Sequence, residues 1–192
     1  MNQSREQLLD AVKKAVARYG ISGMTTRKLA ETAGINDGLI YHYFDDKENI
    51  FKEAYERESN AIFLPMLGYI RELRDISLPF RDKARLYFHR TWRELLQEPD
   101  RMLFVDRYYH SAKFSQSREH HEKQVELLLD ELEEHFESRE VCIQMMYALM
   151  TQLYDSAVRV VEGQMADTPE TEELSFSIFW GLLSSQIKNM DE

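Results

Sequence analysis

The chain has 192 residues, 43% hydrophobic and 30% charged, a balance that fits a water-soluble globular protein of one or two domains and excludes disorder throughout. Its longest apolar stretches, such as 61–64 and 141–143, fall far short of the roughly 18 to 20 residues that span a bilayer, so no membrane segment is expected. The net charge of -10 is unevenly placed: of 24 basic and 34 acidic groups, residues 1–50 hold seven of each, so the whole acidic excess lies in residues 51–192 and only the first part suits a polyanionic partner.

The N-terminus, Met1-Asn2-Gln3-Ser4-Arg5-Glu6, has no basic head followed by an apolar run, which predicts a cytoplasmic protein. Glycine and proline are scarce, and no alternating apolar and polar run is long enough for a strand, so the expected fold is all-α with about nine helices. The first helix is predicted over 4–19. Ser4 and Gln7 would form its capping box, Leu8, Val12, Ala15, Val16 and Tyr19 its inner face, and Gly20 its end.

Two helices of about two turns each follow. One runs from near Thr26 to Gly34, and the other starts near Asp37 behind Asn36, whose side chain can accept the exposed amides of a helix start. Asp45 or Asp46 caps the next helix, which passes through Phe51, Ala54 and Tyr55 to the neighbourhood of Pro65. Breaks at 77–79, 98–99, 115–117, 137–138 and 167–169 cut the remainder into helices of ordinary length. Two of these, 118–137 and 140–163, place Val125, Leu128, Leu129, Leu132 and Phe136, and then Met146, Met150, Leu153, Ala157 and Val160, at helical spacing. A domain division is expected inside the helix 46–64, separating residues 1–48 from residues 49–192.

The segment from Met24 to Lys47 reads physically as a helix-turn-helix. Leu29, Ala30 and Ala33 form the inner face of its first helix, Gly34 permits the positive φ of a tight turn, Ile35 plugs the corner, and Ile40 and Phe44 anchor the second helix. Asp37, Gly38, Tyr41 and His42 are left on the outer side or N-terminal end of that helix, where a recognition helix meets base edges. Thr26, Tyr41, Tyr43 and Lys47 flank it with hydroxyls and an ammonium group, which seat a protein on phosphates. Tyr41, His42, Tyr43 and Phe44 cannot all point inward, because the inner face of one helix is only about 100 degrees wide.

This segment resembles the N-terminal domain of the TetR family of transcriptional regulators. The likeness rests on Thr25-Thr26, Ala33-Gly34-Ile35, Tyr41-His42-Tyr43-Phe44 and Lys47, and covers roughly residues 5–55. It implies an all-helical homodimer with a DNA-binding domain over 1–48 and an effector-binding and dimerisation domain over 49–192. The last two long helices of each subunit would make a four-helix interface, and the middle helices would enclose a pocket for a small effector that releases a palindromic double-stranded operator. Carried over residue by residue, it implies that Arg27, Asp37, Gly38 and His42 approach bases while Thr26, Tyr41, Tyr43 and Lys47 contact phosphates. The sequence departs from the family pattern at Leu39, where a small hydroxyl residue is frequent, and at Asp37, which brings a carboxylate near phosphate.

Residues 51–192 hold 18 of the 22 aromatics. Phe88, Trp92, Tyr108, Met146, Met150 and Tyr154 are the candidates to line a pocket, with ordinary core as the competing reading at each position. Arg107, His110 and Arg90 fall among the aromatics and could pair with an anionic ligand, but Asp106 and Glu94 lie nearby, so the sign of the ligand's charge stays open. Leu174, Ile178, Gly181, Leu182 and Ser185 form a stripe, with Phe179 and Trp180 beside it, that suits a dimer seam built with 146–161.

Cys142, the only cysteine, reads as a buried small hydrophobe, and adjacent His120 and His121 diverge too far to share a metal ion. No nucleophile triad, phosphate loop or paired-carboxylate context stands out, so no catalytic residue, metal or cofactor is expected. The function expected is that of a homodimeric repressor of a palindromic operator, gated by a small molecule. The alternative is a ligand-independent DNA-binding protein of the same fold, structural or partner-controlled, with a filled interior.

Overall fold

A computed structural model of the chain describes residues 2–36, 38, 40 and 47–187. Among the described residues it is all-α, with eight α-helices and two short 3-10 turns. The helices are α1 (Asn2–Tyr19), α2 (Thr26–Ala33), α3 (Lys47–Arg74), α4 (Phe80–Gln97), α5 (Pro99–Tyr109), α6 (Arg118–Leu132), α7 (Arg139–Val161) and α8 (Pro169–Ser184). Gly38 and Ile40 are helical as well, and the only β-type pairing described is an isolated bridge between Phe136 and Ile187.

The chain divides into two compact units, each drawn from two stretches of sequence. Unit 1 comprises residues 1–61 and 98–120, and unit 2 comprises 62–97 and 121–192. The first half of α3 therefore belongs to unit 1 and its second half to unit 2.

In unit 1, α1 packs on α2 and α5. Leu8, Val12, Ala15 and Val16 repeat at helical spacing and are almost wholly buried, as are Leu29, Ala30, Ile40, Ile50, Phe51, Ala54 and Tyr55. Tyr19 departs from the expected inner face. It is 48% exposed, and Lys28 Nζ lies 5.3 Å from its ring centroid, a cation–π contact at the surface. α1 also begins at Asn2, which places Ser4 within the helix rather than at its cap.

Unit 2 packs α4, α7 and α8 against one another. Phe88 is its hub, with ring centroids 5.8 Å from Trp92, 5.5 Å from Phe176 and 5.3 Å from Phe179. The expected helix end near Pro65 is corrected by the structure, since α3 continues through Pro65 to Arg74. An interior proline costs a helix about 3 kcal/mol. Ile62, Phe63, Met66 and Leu67 around it are all buried, and burying side chains of that size gains about 1.5–3 kcal/mol each, which outweighs the break.

Candidate nucleic-acid interface and ligand cavity

The turn between α2 and the helical residues Gly38 and Ile40 is specified by three short side-chain and backbone devices. The Thr25 hydroxyl accepts the Lys28 N–H at 3.1 Å and so caps α2. At the other end Gly34 adopts φ 66°, and the Gly34 and Ile35 amides donate to Glu31 O at 3.3 Å and Ala30 O at 3.1 Å, closing the helix as a left-handed glycine allows. Asn36 Oδ1 then accepts the Gly38 N–H at 2.8 Å, the expected cap of the next helix.

These caps set the candidate contact residues on the surface. Thr26, the first residue of α2, is half-buried, while Arg27 is exposed and donates to Glu31 at 2.9 Å. Lys28 is also exposed, and its Nζ donates to Gly23 O at 3.0 Å, so it ties the loop before α2 to the helix start. Gly38 is exposed and Ile40 fully buried, which separates the outer from the anchoring side of that turn. Lys47 is the first residue of α3. Asp37, Leu39, Tyr41, His42, Tyr43, Phe44, Asp45 and Asp46 lie outside the described residues.

An ion network within unit 1 ties α1 to α3 and to the start of α5. Glu58 is buried and accepts from Arg57 Nε at 2.9 Å and Arg101 Nε at 2.8 Å, with Lys13 Nζ 3.6 Å away. Arg57 also donates to Glu6 at 2.8 Å and Asp10 at 2.6 Å, and Lys13 donates to Glu98 at 3.1 Å. The Lys13 ammonium holds the Glu98 carboxyl below the usual carboxylate range. Arg107 donates to the carbonyls of Val16, at 3.2 Å, and Ala17 at the end of α1, where a cation completes the exposed acceptors of a helix C-terminus. Arg107, a candidate ligand partner by its sequence neighbours, is therefore committed within unit 1. The structure uses it to hold α1.

Unit 2 contains a cavity of about 200 Å³. Its walls are apolar and come from Ile70 and Leu73 on α3, Phe80, Ala84 and Tyr87 on α4, Leu128 and Leu132 on α6, Met146, Leu149 and Met150 on α7, and Phe179 and Leu183 on α8. Four titratable groups besides Tyr87 border it: Arg74, Lys83, Glu131 and His135. Burial pushes the Tyr87 phenol up to about 12, so it is neutral at physiological pH.

Of the six candidate pocket residues, Met146 and Met150 border this cavity. Phe88 and Trp92 pack solidly in the unit 2 core, and Tyr154 lies on α7 without bordering the cavity. Tyr108 belongs to unit 1, where it is buried, stacks on Tyr55 at 4.5 Å and has its hydroxyl 3.1 Å from Ser117 Oγ. Arg90 pairs with Glu72 at 2.6 Å and His110 Nδ1 lies 3.4 Å from Asp106, so neither faces the cavity. His120 meets Ser59 Oγ at 3.1 Å and the Tyr55 ring, whereas His121 meets the Tyr147 ring. The walls from 70–74 and 128–136 were missed in sequence. Their signal was the same apolar periodicity that marks ordinary core.

Residues 6–54 match the profile of the "Bacterial regulatory proteins, tetR family". The chain is 34% identical over 79 residues to the HTH-type transcriptional repressor AcnR of Corynebacterium diphtheriae, which covers 40% of this chain and 41% of that protein. It is 41% identical over 58 residues to AcnR of Corynebacterium glutamicum, 30% of each. The chain thus spans less than half the length of these curated relatives in the matched region. A TetR family transcription regulator from Marinobacter aquaeolei VT8 superposes with a TM-score of 0.77 at 22% identity, covering 98% of this chain and 100% of that one, and shares its fold. The N-terminal segment is thus similar to that of the TetR family of bacterial regulatory proteins, within a chain whose fold the solved structure shares along its whole length.

Proposed function

We propose that the protein is a cytoplasmic DNA-binding transcriptional repressor and not an enzyme. It acts as a homodimer whose two heads read a palindromic operator and whose cavities take a small effector that releases it. The observation that carries this reading is the capped turn from Thr25 to Ile40, which closes α2 with a left-handed glycine and opens the next helix on Asn36, beside the exposed Arg27 and Gly38. In this reading residues 1–48 are the DNA-binding domain and 49–192 the effector and dimerisation domain. Arg27, Asp37, Gly38 and His42 approach bases, and Thr26, Tyr41, Tyr43 and Lys47 seat the head on phosphates. The named repressor relatives support regulation by repression.

Dimerisation is supported by the solvent-facing side of α8. Leu174 is 58% and Ile178 49% exposed, one helical turn apart on α8, an apolar stripe that a second copy would cover. Two heads about 34 to 36 Å apart would read successive major grooves and so require a palindrome. The cavity supports effector gating over a filled interior.

The test is recovery and sequencing of duplexes bound by the purified protein from a random pool. A two-fold symmetric sequence is expected. Recovery of an asymmetric site overturns the dimeric arrangement, and no enrichment overturns DNA reading itself.

A further inference from the structure

The border of the unit 2 cavity has a definite charge arrangement. Glu131 is the only carboxylate that borders it among the described residues, and both its oxygens are occupied: Oε1 by Arg71 Nε at 2.7 Å and Oε2 by Arg74 Nη1 at 2.8 Å. Two guanidinium groups thus neutralise one carboxylate, with exposed Asp75 a further 3.9 Å from Arg74 Nε. Lys83 makes no ion pair among the described residues. Its Nζ donates one proton to Arg74 O at 3.1 Å, leaving two N–H groups without a partner among the described residues. His135, the remaining group, lies 3.8 Å from Glu134. The border therefore carries one cation without an ion pair among the described residues, Lys83, while the interior is almost wholly hydrocarbon, aromatic and thioether surface.

Size narrows the occupant further. A cavity near 150 Å³ admits a benzene ring, so about 200 Å³ holds one ring or a chain of about ten non-hydrogen atoms.

We propose that the cavity binds a small monoanionic amphiphile, a medium-chain or single-ring carboxylate, with its apolar body among Tyr87, Met146, Leu149 and Phe179 and its carboxylate against Lys83. This deepens the effector reading above and rests on it for the regulatory consequence. A carboxylate there gains charge-assisted hydrogen bonds from Lys83 without displacing Glu131 from its two arginines. An ammonium head would be repelled by Lys83, and a neutral alcohol would accept a weaker hydrogen bond there than a carboxylate does.

The experiment is calorimetric titration of the full chain with octanoate, octan-1-ol and octylammonium at neutral pH. Octanoate is expected to bind about tenfold more tightly than octan-1-ol, the scale of one charge-assisted bond at a partly exposed site, with octylammonium weakest. Lys83→Met should remove that tenfold preference and leave octan-1-ol within about twofold. Ala84→Leu, which fills the cavity, should weaken all three. Octylammonium binding as tightly as octanoate, no binding of any probe, or octanoate affinity indifferent to either variant overturns the proposal.

A parallel titration on the duplex recovered from the random pool separates the two claims. Lys83-dependent octanoate binding with unchanged duplex occupancy refutes effector release while the ligand class stands. Release by octan-1-ol in preference to octanoate refutes the ligand class while release stands.

Discussion

In unit 1 the Glu58 carboxylate, 3% exposed, takes hydrogen bonds from Arg57 and Arg101. In unit 2 the Glu131 carboxylate, 10% exposed, takes bonds from Arg71 and Arg74 at the border of an apolar cavity. The chemical motif is the same, one carboxylate bound by two guanidiniums, but its surroundings differ. Around Glu58 the bonds extend to Lys13, Glu98, Asp10 and Glu6, so α1, α3 and α5 are fixed in one arrangement. Around Glu131 they stop at α3 and α6, and next to them lies unfilled apolar space. An ion network centred on a buried carboxylate tolerates few alternative geometries, whereas an apolar wall of methionine, leucine and phenylalanine can repack around different contents. This chain thus joins α1, α3 and α5 of unit 1 by polar bracing and surrounds the candidate ligand site of unit 2 with adaptable apolar packing.

The largest expected effect tests the solid part of unit 2. Trp92 is completely buried, so Trp92→Ala should destabilise the protein by about 3–5 kcal/mol in denaturant titration. Trp92→Phe should cost far less, since the indole Nε1 has no hydrogen-bond partner to lose among the described residues. A small loss for Trp92→Ala would instead make Trp92 part of an adaptable pocket.

Next in size, Glu58→Gln should cost about 3 kcal/mol, because it leaves Arg57, Arg101 and Lys13 partly buried beside a lost counter-charge. Glu131→Gln should cost less, about 1 kcal/mol, as its two arginines are half-exposed and can turn to water. Equal losses at the two sites would erase the proposed contrast. Gly34→Ala should cost about 1 kcal/mol, the strain of a side chain at φ 66°.

The smallest effect is that of pH. The Glu98 carboxyl is held below its unfolded pKa chiefly by the hydrogen bond from Lys13, so its pairing stabilises the folded state at neutral pH. That contribution should disappear as pH falls through the carboxylate range. Stability measured for wild type and Glu98→Gln from pH 7 to about pH 3 should therefore converge on acidification. A constant difference would remove Glu98 from the network.

Much of unit 1 was legible in the sequence, because its signals are local. Gly34 for the left-handed turn, Asn36 for the cap and the spacing of Leu8, Val12, Ala15 and Val16 each act within a few residues. What escaped was long-range. Residues 98–120 join residues 1–61 through pairs such as Lys13 with Glu98, 85 residues apart, and nothing in either local sequence marks the other. Tyr19 fits the apolar period but sits at the last residue of α1, where its ring turns outward under Lys28. Pro65 follows the rule for helix ends, and tertiary burial overrides it. Of the cavity's walls, Met146 and Met150 are among the candidates the sequence offers and Leu73, Leu128 and Glu131 are not, since a helix face toward a cavity and one toward packed core share one periodicity.

The account's central claim, that the turn-bearing N-terminal segment meets DNA, is tested most directly by the salt dependence of binding to the recovered duplex for wild type and Lys47→Ala. The account predicts weaker binding of the variant to all duplexes, with the slope of log affinity against log salt less steep by about one per protomer, as loss of one phosphate contact requires. An unchanged slope and affinity would contradict it.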